Sequence, residues 1–162
     1  MRLFIGIGLP APVADELAKS ARMLVPAASA AKIRWAPPVN MHITLSFLGQ
    51  VHEARLDVIQ QALATVRAPR LNLLLDGVGT FDHAGVLYAN VTRTPALLAL
   101  AEQVTAAMEN IGFRRDGRPY SPHVTLARTR DHLRLRSNPP GDPAFRQAFE
   151  ATEFRLYQSL VV

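Results

Sequence analysis

Apolar and polar positions along this chain follow two periods in turn, one near 3.6 residues and one of 2, and each switch between them marks an element boundary. Leu3 to Leu9 is an apolar run that reads as a first strand. It is too short, and too interrupted by glycine, for a signal peptide. Beyond Pro10 and Pro12, the positions Val13, Leu17, Ala21 and Leu24 take helical spacing and predict a helix over 12–24, with Asp15 and Glu16 in its first turn, where the helix dipole favours acids. Ile33 to Trp35 is a short extended piece ended by Pro37-Pro38. A strand is expected over 41–48. Leu56, Ile59, Leu63 and Val66 then mark a second helix that stops before Pro69, and Leu71 to Val78 is a strand loosened at its end by Gly77 and Gly79.

The second half repeats this order. Gly85 to Thr92 reads as an apolar-rich strand. Thr94 and Pro95 supply a cap and a first-turn proline for a helix whose stripe is Leu97, Leu98, Ala101, Thr105, Met108 and Ile111, with Gly112 at its C-terminal end. An arginine-rich loop from Arg114 to Tyr120 leads into a strand over 122–128. The span 137–143 reads as a loop, Pro143 to Glu150 as a short helix and Glu153 to Val162 as a final strand. The fold class is α+β, a single domain over 1–162 made of two similar, interleaved lobes with approximate repeat halves 1–80 and 81–162.

Within this pattern one short motif occurs twice. Asn40-Met41-His42-Ile43-Thr44-Leu45-Ser46-Phe47-Leu48-Gly49 and Pro122-His123-Val124-Thr125-Leu126-Ala127 each contain His, apolar, Thr, Leu. Side chains alternate along a strand, so each copy presents an imidazole and a hydroxyl on one face and two apolar groups on the other. A lone histidine in an apolar strand is more often a satisfied structural residue, which would be the reading of His42 by itself. The matched pair points to a shared site. His52, His83 and His132 have no such repeat and fall in loops or at a helix start, where solvated side chains are expected.

Composition narrows the chemistry. The chain has 162 residues, 49% of them hydrophobic, enough to bury a core without staples. It contains no cysteine, so disulfides and thiolate metal sites are excluded and a cytoplasmic location is expected. No apolar run approaches the roughly 18 residues of a membrane span. The formal net charge is +5, favouring an anionic partner. Arg114, Arg115, Arg118, Arg128, Arg130, Arg134 and Arg136 fall within 23 residues that hold only two acids, Asp116 and Asp131, and the second His-x-Thr lies among them. An anion-binding mouth is the reading, against an ordinary solvated surface.

With Arg34-Trp35 before the first motif and Pro119-Tyr120-Ser121 before the second, which closes on Arg128, the chain resembles the two-histidine phosphoesterase superfamily. Within it the resemblance is to bacterial RNA 2′,3′-cyclic phosphodiesterases, also called LigT-like 2′-5′ RNA ligases. It covers essentially the whole chain, from Arg2-Leu3-Phe4-Ile5 to Glu153-Phe154-Arg155-Leu156-Tyr157. The resemblance implies a bilobal fold with antiparallel sheets lining a V-shaped cleft and helices outside. It implies hydrolysis of a 2′,3′-cyclic phosphate RNA end to a 2′-phosphate without metal; no other cofactor is expected, and the chain is expected to be a monomer. It assigns His42 as proton donor and His123 as proton acceptor, with Thr44, Thr125 and Arg128 on the phosphate. The partners it implies are RNA with 2′,3′-cyclic phosphate or 2′-5′ linked ends, tRNA fragments or nucleotides. Relatives continue past the equivalent of Ser159-Leu160 through a further short strand, so a shortened C-terminus is expected here.

The chemistry is also legible from residue types. Water can open a cyclic phosphate if one group removes its proton and another protonates the departing ribose oxygen, and two imidazoles can hold those opposite states near neutral pH. Threonine hydroxyls can donate to the phosphate oxygens and an arginine can offset their charge. Arg128 lies five residues beyond His123, so strict alternation would put it on the wrong face unless the strand ends or bulges near Ala127. Arg130, Arg118 and Tyr120 are further substrate-binding candidates, and Phe4, Trp35, Phe47 and Tyr120 could stack a base, with core packing preferred for Phe4 and Phe47. No acidic cluster or His-x₃-His offers metal ligands. A non-catalytic RNA- or nucleotide-binding module using the same basic cleft stays open as the alternative, although arginine or lysine would serve simple anion binding better than histidine.

Overall fold

The structure is a computed structural model that describes residues 1–26, 32–81, 84–130 and 142–160. In chain order the elements are β1 (Arg2–Gly8), α1 (Ala11–Met23), β2 (Ile33–Trp35), β3 (His42–Gln50), α2 (Leu56–Ala64), β4 (Leu71–Phe81), β5 (Val86–Val91), α3 (Pro95–Asn110), β6 (His123–Thr129), β7 (Ala148–Ala151) and β8 (Arg155–Ser159). The strands join in an antiparallel path β7-β4-β5-β6-β3-β1-β8, with β2 beside β6. None of the helices is long and apolar enough to cross a membrane, among the described residues.

Local sequence explains most element ends. Thr94 accepts a hydrogen bond from the Leu97 amide and Pro95 opens α3, while Gly112 adopts φ +100° just past the helix end, a conformation glycine reaches without a Cβ penalty. His52 accepts from the Ala54 amide and caps the turn before α2. Helix α1 begins at Ala11, one residue earlier than expected, so Asp15 and Glu16 fall in its second turn rather than its first. The buried stripe of α3 is Leu97, Leu100, Ala101, Val104 and Met108. Leu98 and Thr105 sit beside that stripe, and Leu100 and Val104 replace them within it.

The expected helix over Pro143 to Glu150 does not form. A 3-10 turn, Pro143–Arg146, is followed by strand β7, whose Phe149 is buried opposite Leu73 of β4. Phe145 and Phe149 are spaced like a helical pair, but pairing with the edge of β4 supplies backbone partners that so short a helix would lack. The final strand is Arg155–Ser159, shorter than expected, and the loop reading over 137–143 lies almost wholly outside the described residues. The strand groups do not coincide with the halves 1–80 and 81–162. β4 lies beside β5 and β7, and β8 lies beside β1, so each end of the sheet draws a strand from the other half.

One face of the sheet is apolar. Leu3, Ile5 and Ile7 of β1, Ile43 and Leu45 of β3, and Val124 and Leu126 of β6 are buried in a single cluster with Leu17 and Ala21 of α1, Ile59 and Leu63 of α2 and the α3 stripe. Burial of each Leu, Ile, Val or Met side chain among them contributes about 1.5–3 kcal/mol. The opposite face of the same strands is left for polar groups.

Candidate active site

The two motif strands are neighbours in the sheet, and Ile43 of β3 pairs with Val124 of β6. Both are wholly buried on the apolar face. By alternation His42 and Thr44, and His123 and Thr125, project from the other face, side by side across the seam where the strands meet. Each of the four is only partly buried.

The two imidazoles are held in the same way. His42 Nδ1 lies 2.7 Å from the Asn40 carbonyl and His123 Nδ1 lies 2.7 Å from the Ser121 carbonyl. A carbonyl can only accept, so each Nδ1 carries the hydrogen, which leaves each Nε2 as the nitrogen able to take or give a proton.

Aromatic pairs back both rings. The His42 ring stacks on Phe4 at 4.5 Å, and Phe4 stacks in turn on Tyr157 at 5.1 Å. Gly6 makes room for this, because a Cβ there would come within 2.9 Å of the Ile43 carbonyl oxygen and 3.5 Å of His42 Cδ2. His123 instead meets Phe81 and Tyr88 edge-on, at 5.1 and 5.6 Å, while those two rings stack on each other at 4.2 Å. Burial lowers the His42 pKa below the usual imidazole value, against the opposing effect of the Asn40 carbonyl, and the charges of His123 and Arg128 lower it further.

Arg128 acts on His42 because of its place on the backbone. Leu87 opposes Ala127 while Tyr88 opposes Thr125, so Leu126 is the extra residue of a bulge in β6. Beyond it the strand changes phase, and Arg128 opposes Val86, which shares the face of Tyr88. The guanidinium therefore emerges on the face of the histidines.

The remaining sequence candidates divide. The Tyr120 hydroxyl donates to the Thr44 carbonyl at 2.7 Å, tying the approach to β6 onto β3. Burial raises its pKa well above the ordinary phenol value, although the Arg93 charge opposes this, so the hydroxyl stays a donor. Arg93 in turn donates to the Tyr120 carbonyl. Arg118 pairs with Asp116 at 2.9 Å, and Arg115 pairs with both Glu102 and Glu109 of α3. The local charge excess is thus smaller than the sequence window suggested, because two acids that offset Arg115 lie on the preceding helix. Arg130 is exposed just past β6. Trp35 is half-buried with Arg22 over its ring at 4.9 Å. Arg134, Arg136, His83 and His132 lie outside the described residues. Among the described residues, no three His, Asp or Glu gather as a metal site.

Sequence reasoning passed over Tyr157, Phe81 and Tyr88, and took Phe4 for core. It also passed over Arg155, which opposes Gly6 and shares the face of Tyr157, where it pairs with Glu153 at 2.7 Å. Their signal was periodicity. Each lies on β4, β5 or β8, strands that carry no motif and reach the site only through pairings that the sequence alone does not reveal.

Comparison with known proteins agrees with this architecture. A sequence model of the family described as LigT like phosphoesterase matches residues 7–88 and 91–160. The RNA 2′,3′-cyclic phosphodiesterase of Escherichia coli (strain K12) is 29% identical over 159 residues, which covers 98% of this chain and 86% of that protein. The protein of the same name from Archaeoglobus fulgidus is also 29% identical, over 99% of this chain and 92% of its own length. The crystal structure of E. coli LigT complexed with 3′-AMP superposes with a TM-score of 0.83 at 29% identity, covering 99% of this chain and 89% of that one.

Proposed function

Since the chain belongs to the LigT-like phosphoesterase family, we propose that it is an RNA 2′,3′-cyclic phosphodiesterase, opening a cyclic phosphate RNA end to a 2′-phosphate by paired-histidine acid-base catalysis. The observation that carries this reading is the shared tether of the two imidazoles, each with Nδ1–H on a backbone carbonyl and Nε2 left for a substrate on one face of the sheet.

In this mechanism His123 Nε2 takes a proton from the attacking water as its oxygen bonds to phosphorus. The bond from phosphorus to the ribose 3′ oxygen breaks, and His42 Nε2 delivers a proton to that oxygen, leaving a 2′-phosphate and a free 3′ hydroxyl. Thr44 and Thr125 donate to the phosphate oxygens and Arg128 offsets their developing charge. The free protein disfavours a charged His42, so the donor role calls on the negative charge of the bound phosphodiester to restore the proton there. With the 5′ hydroxyl of a second RNA in the place of water, the same step would join RNA ends through a 2′-5′ link, the bond from phosphorus to the 3′ oxygen breaking as before. Structures of the E. coli relative with 3′-AMP, ATP and NADP+ support a ligand of nucleotide size.

The test is incubation of purified protein with adenosine 2′,3′-cyclic phosphate in excess EDTA, followed by separation of the 2′- and 3′-monophosphates. Accumulation of 2′-AMP alone is the expected result. Tight binding of the nucleotide without turnover would instead favour a binding module using the same face.

A further inference from the structure

Strands β2 and β3 both pair with β6, and they run in line along one edge of it. Within β2, Ile33 opposes Thr129, Arg34 opposes Arg128 and Trp35 opposes Ala127. Ile33 is buried in the core cluster and Trp35 packs against it beneath Arg22 of α1, so Arg34, which lies between them, points to the face that carries the histidines. Two arginines therefore stand directly opposite one another on that face.

Like charges at opposed positions destabilise a sheet, because their Cβ atoms are only about 4.5–5.5 Å apart. Elsewhere arginines are neutralised. Arg115, Arg118, Arg146 and Arg155 each meet a carboxylate, whereas Arg34 and Arg128 are both exposed and neither meets an acid among the described residues. β2 pairs with β6 alone, and a charge on such an edge can serve to block pairing with another chain. An acid would do the same and would also pair with Arg128. A second cation is instead left for an anion that the chain does not itself supply.

Position gives the two arginines different anions. The charge of Arg128 acts on His42, so Arg128 serves the phosphate held at the histidines. Arg34 is four residues of β6 beyond the rung where Ile43 opposes Val124, and His42 is one rung nearer to it, so about 10 Å of strand separates His42 from Arg34. A long side chain closes much of that distance and meets the next anion outward along the face. In an RNA end that anion is the phosphodiester on the 5′ side of the terminal nucleoside.

We propose that Arg34 is a specificity-determining residue that holds this phosphodiester, so that the protein takes the end of an RNA chain in preference to a free cyclic mononucleotide. This rests on the phosphodiesterase reading of the same face. The substrate then brings two negative charges to two opposed positive ones, and the repulsion across β2 and β6 is relieved on binding.

The test compares kcat/KM for adenylyl-adenosine 2′,3′-cyclic phosphate with that for adenosine 2′,3′-cyclic phosphate, which lacks the 5′ phosphodiester, in the wild type, Arg34→Gln and Arg34→Lys. The wild type is expected to prefer the dinucleotide. In Arg34→Gln that preference is expected to fall about fivefold or more as one charge-assisted contact is lost, with the mononucleotide value kept within about twofold. Arg34→Lys keeps the charge without the planar fork and is expected to retain part of the preference. A charge that only guarded the edge of β2 would leave the preference in Arg34→Gln at the wild-type value. That result, an equal loss on both substrates, or a wild type without the preference overturns the proposal. Titration of adenosine 2′,5′-bisphosphate and of 2′-AMP onto wild type and Arg34→Gln separates the two readings, since binding needs no chemistry. If the wild type turns over neither cyclic substrate, the phosphodiesterase reading fails. The Arg34 proposal then stands on a loss of the bisphosphate's advantage over 2′-AMP in Arg34→Gln, and falls if that advantage is unchanged.

Discussion

Ile43 pairs with Val124 where β3 meets β6, and both side chains are wholly buried beneath the histidine face. The alignment of the two motifs thus depends on a short seam supported from below by close packing. Ile43→Val, which keeps the branched Cβ, is expected to cost about 1 kcal/mol in urea unfolding and to leave turnover within a few-fold. Ile43→Ala is expected to cost 2–5 kcal/mol, about the range for emptying such a site, and to lower turnover further in the protein that stays folded. Equal turnover in the two variants would mean that the seam does not set the spacing of the histidines.

The next expectation concerns the histidines themselves. His42→Ala and His123→Ala are each expected to lose roughly 10²- to 10⁴-fold or more in kcat, and the double variant far less than the product, because acid and base act on one transition state. Thr44→Val and Thr125→Val each remove one donor to the phosphate and are expected to cost less, on the order of 10- to 100-fold. Steady-state kinetics in EDTA provides the comparison. Multiplicative losses in the double variant would separate the two groups into independent roles.

The legible part of this site was its repeat. His-x-Thr twice, in apolar strands, announced the four central side chains without any knowledge of strand order. The arginine five residues on was legible only as a condition, since strict alternation put Arg128 on the far face, and the bulge at Leu126 is what brings it round. Phe47 obeys the same rule, since a bulge at Leu45 in β3 sets it opposite Phe4, yet a phenylalanine in an apolar strand reads as core. Bulges depend on the neighbouring strand, so they leave little trace in local pattern. The same limit hid Tyr157 and Phe81, which reach the histidines across intervening strands. The arginine cluster was over-read for a related reason, since Arg115 finds its acids on α3.

Tyr120 offers a test of how the site is held together. Its hydroxyl bonds the Thr44 carbonyl at 2.7 Å, and it is a tie between the two motifs rather than a free ring. Tyr120→Phe keeps the ring and removes the donor, and is expected to cost about 1 kcal/mol of stability. Turnover is expected to fall several-fold, with a larger change in kcat than in KM, because Thr44 would lose its support while the phosphate keeps its other partners. A loss confined to KM would instead mark Tyr120 as a substrate contact.

The last expectation concerns proton linkage. The His42 pKa is lowered in the folded protein, first by burial and then by the charges of His123 and Arg128, with the Asn40 carbonyl opposing. A histidine so depressed binds a proton less readily folded than unfolded, where its value is about 6.5. Its contribution to stability is therefore fully present above that pH and is lost as pH falls from there through the folded value. Glu102 and Asp116, whose carboxyls are held below their usual range first by Arg115 and Arg118 respectively, lose their contributions only at lower pH, so they add little to the slope between about pH 7 and 5.5, where imidazoles titrate. Urea unfolding across that window should show stability falling with pH, and His42→Gln should flatten part of the slope. An NMR titration of His42 should give a midpoint below that of a free imidazole, rising in Arg128→Ala and rising again when inorganic phosphate is added. A midpoint unmoved by Arg128→Ala would separate this arginine from the electrostatics of the pair, and a midpoint unmoved by phosphate would remove the means by which a bound diester returns the proton that His42 has to give.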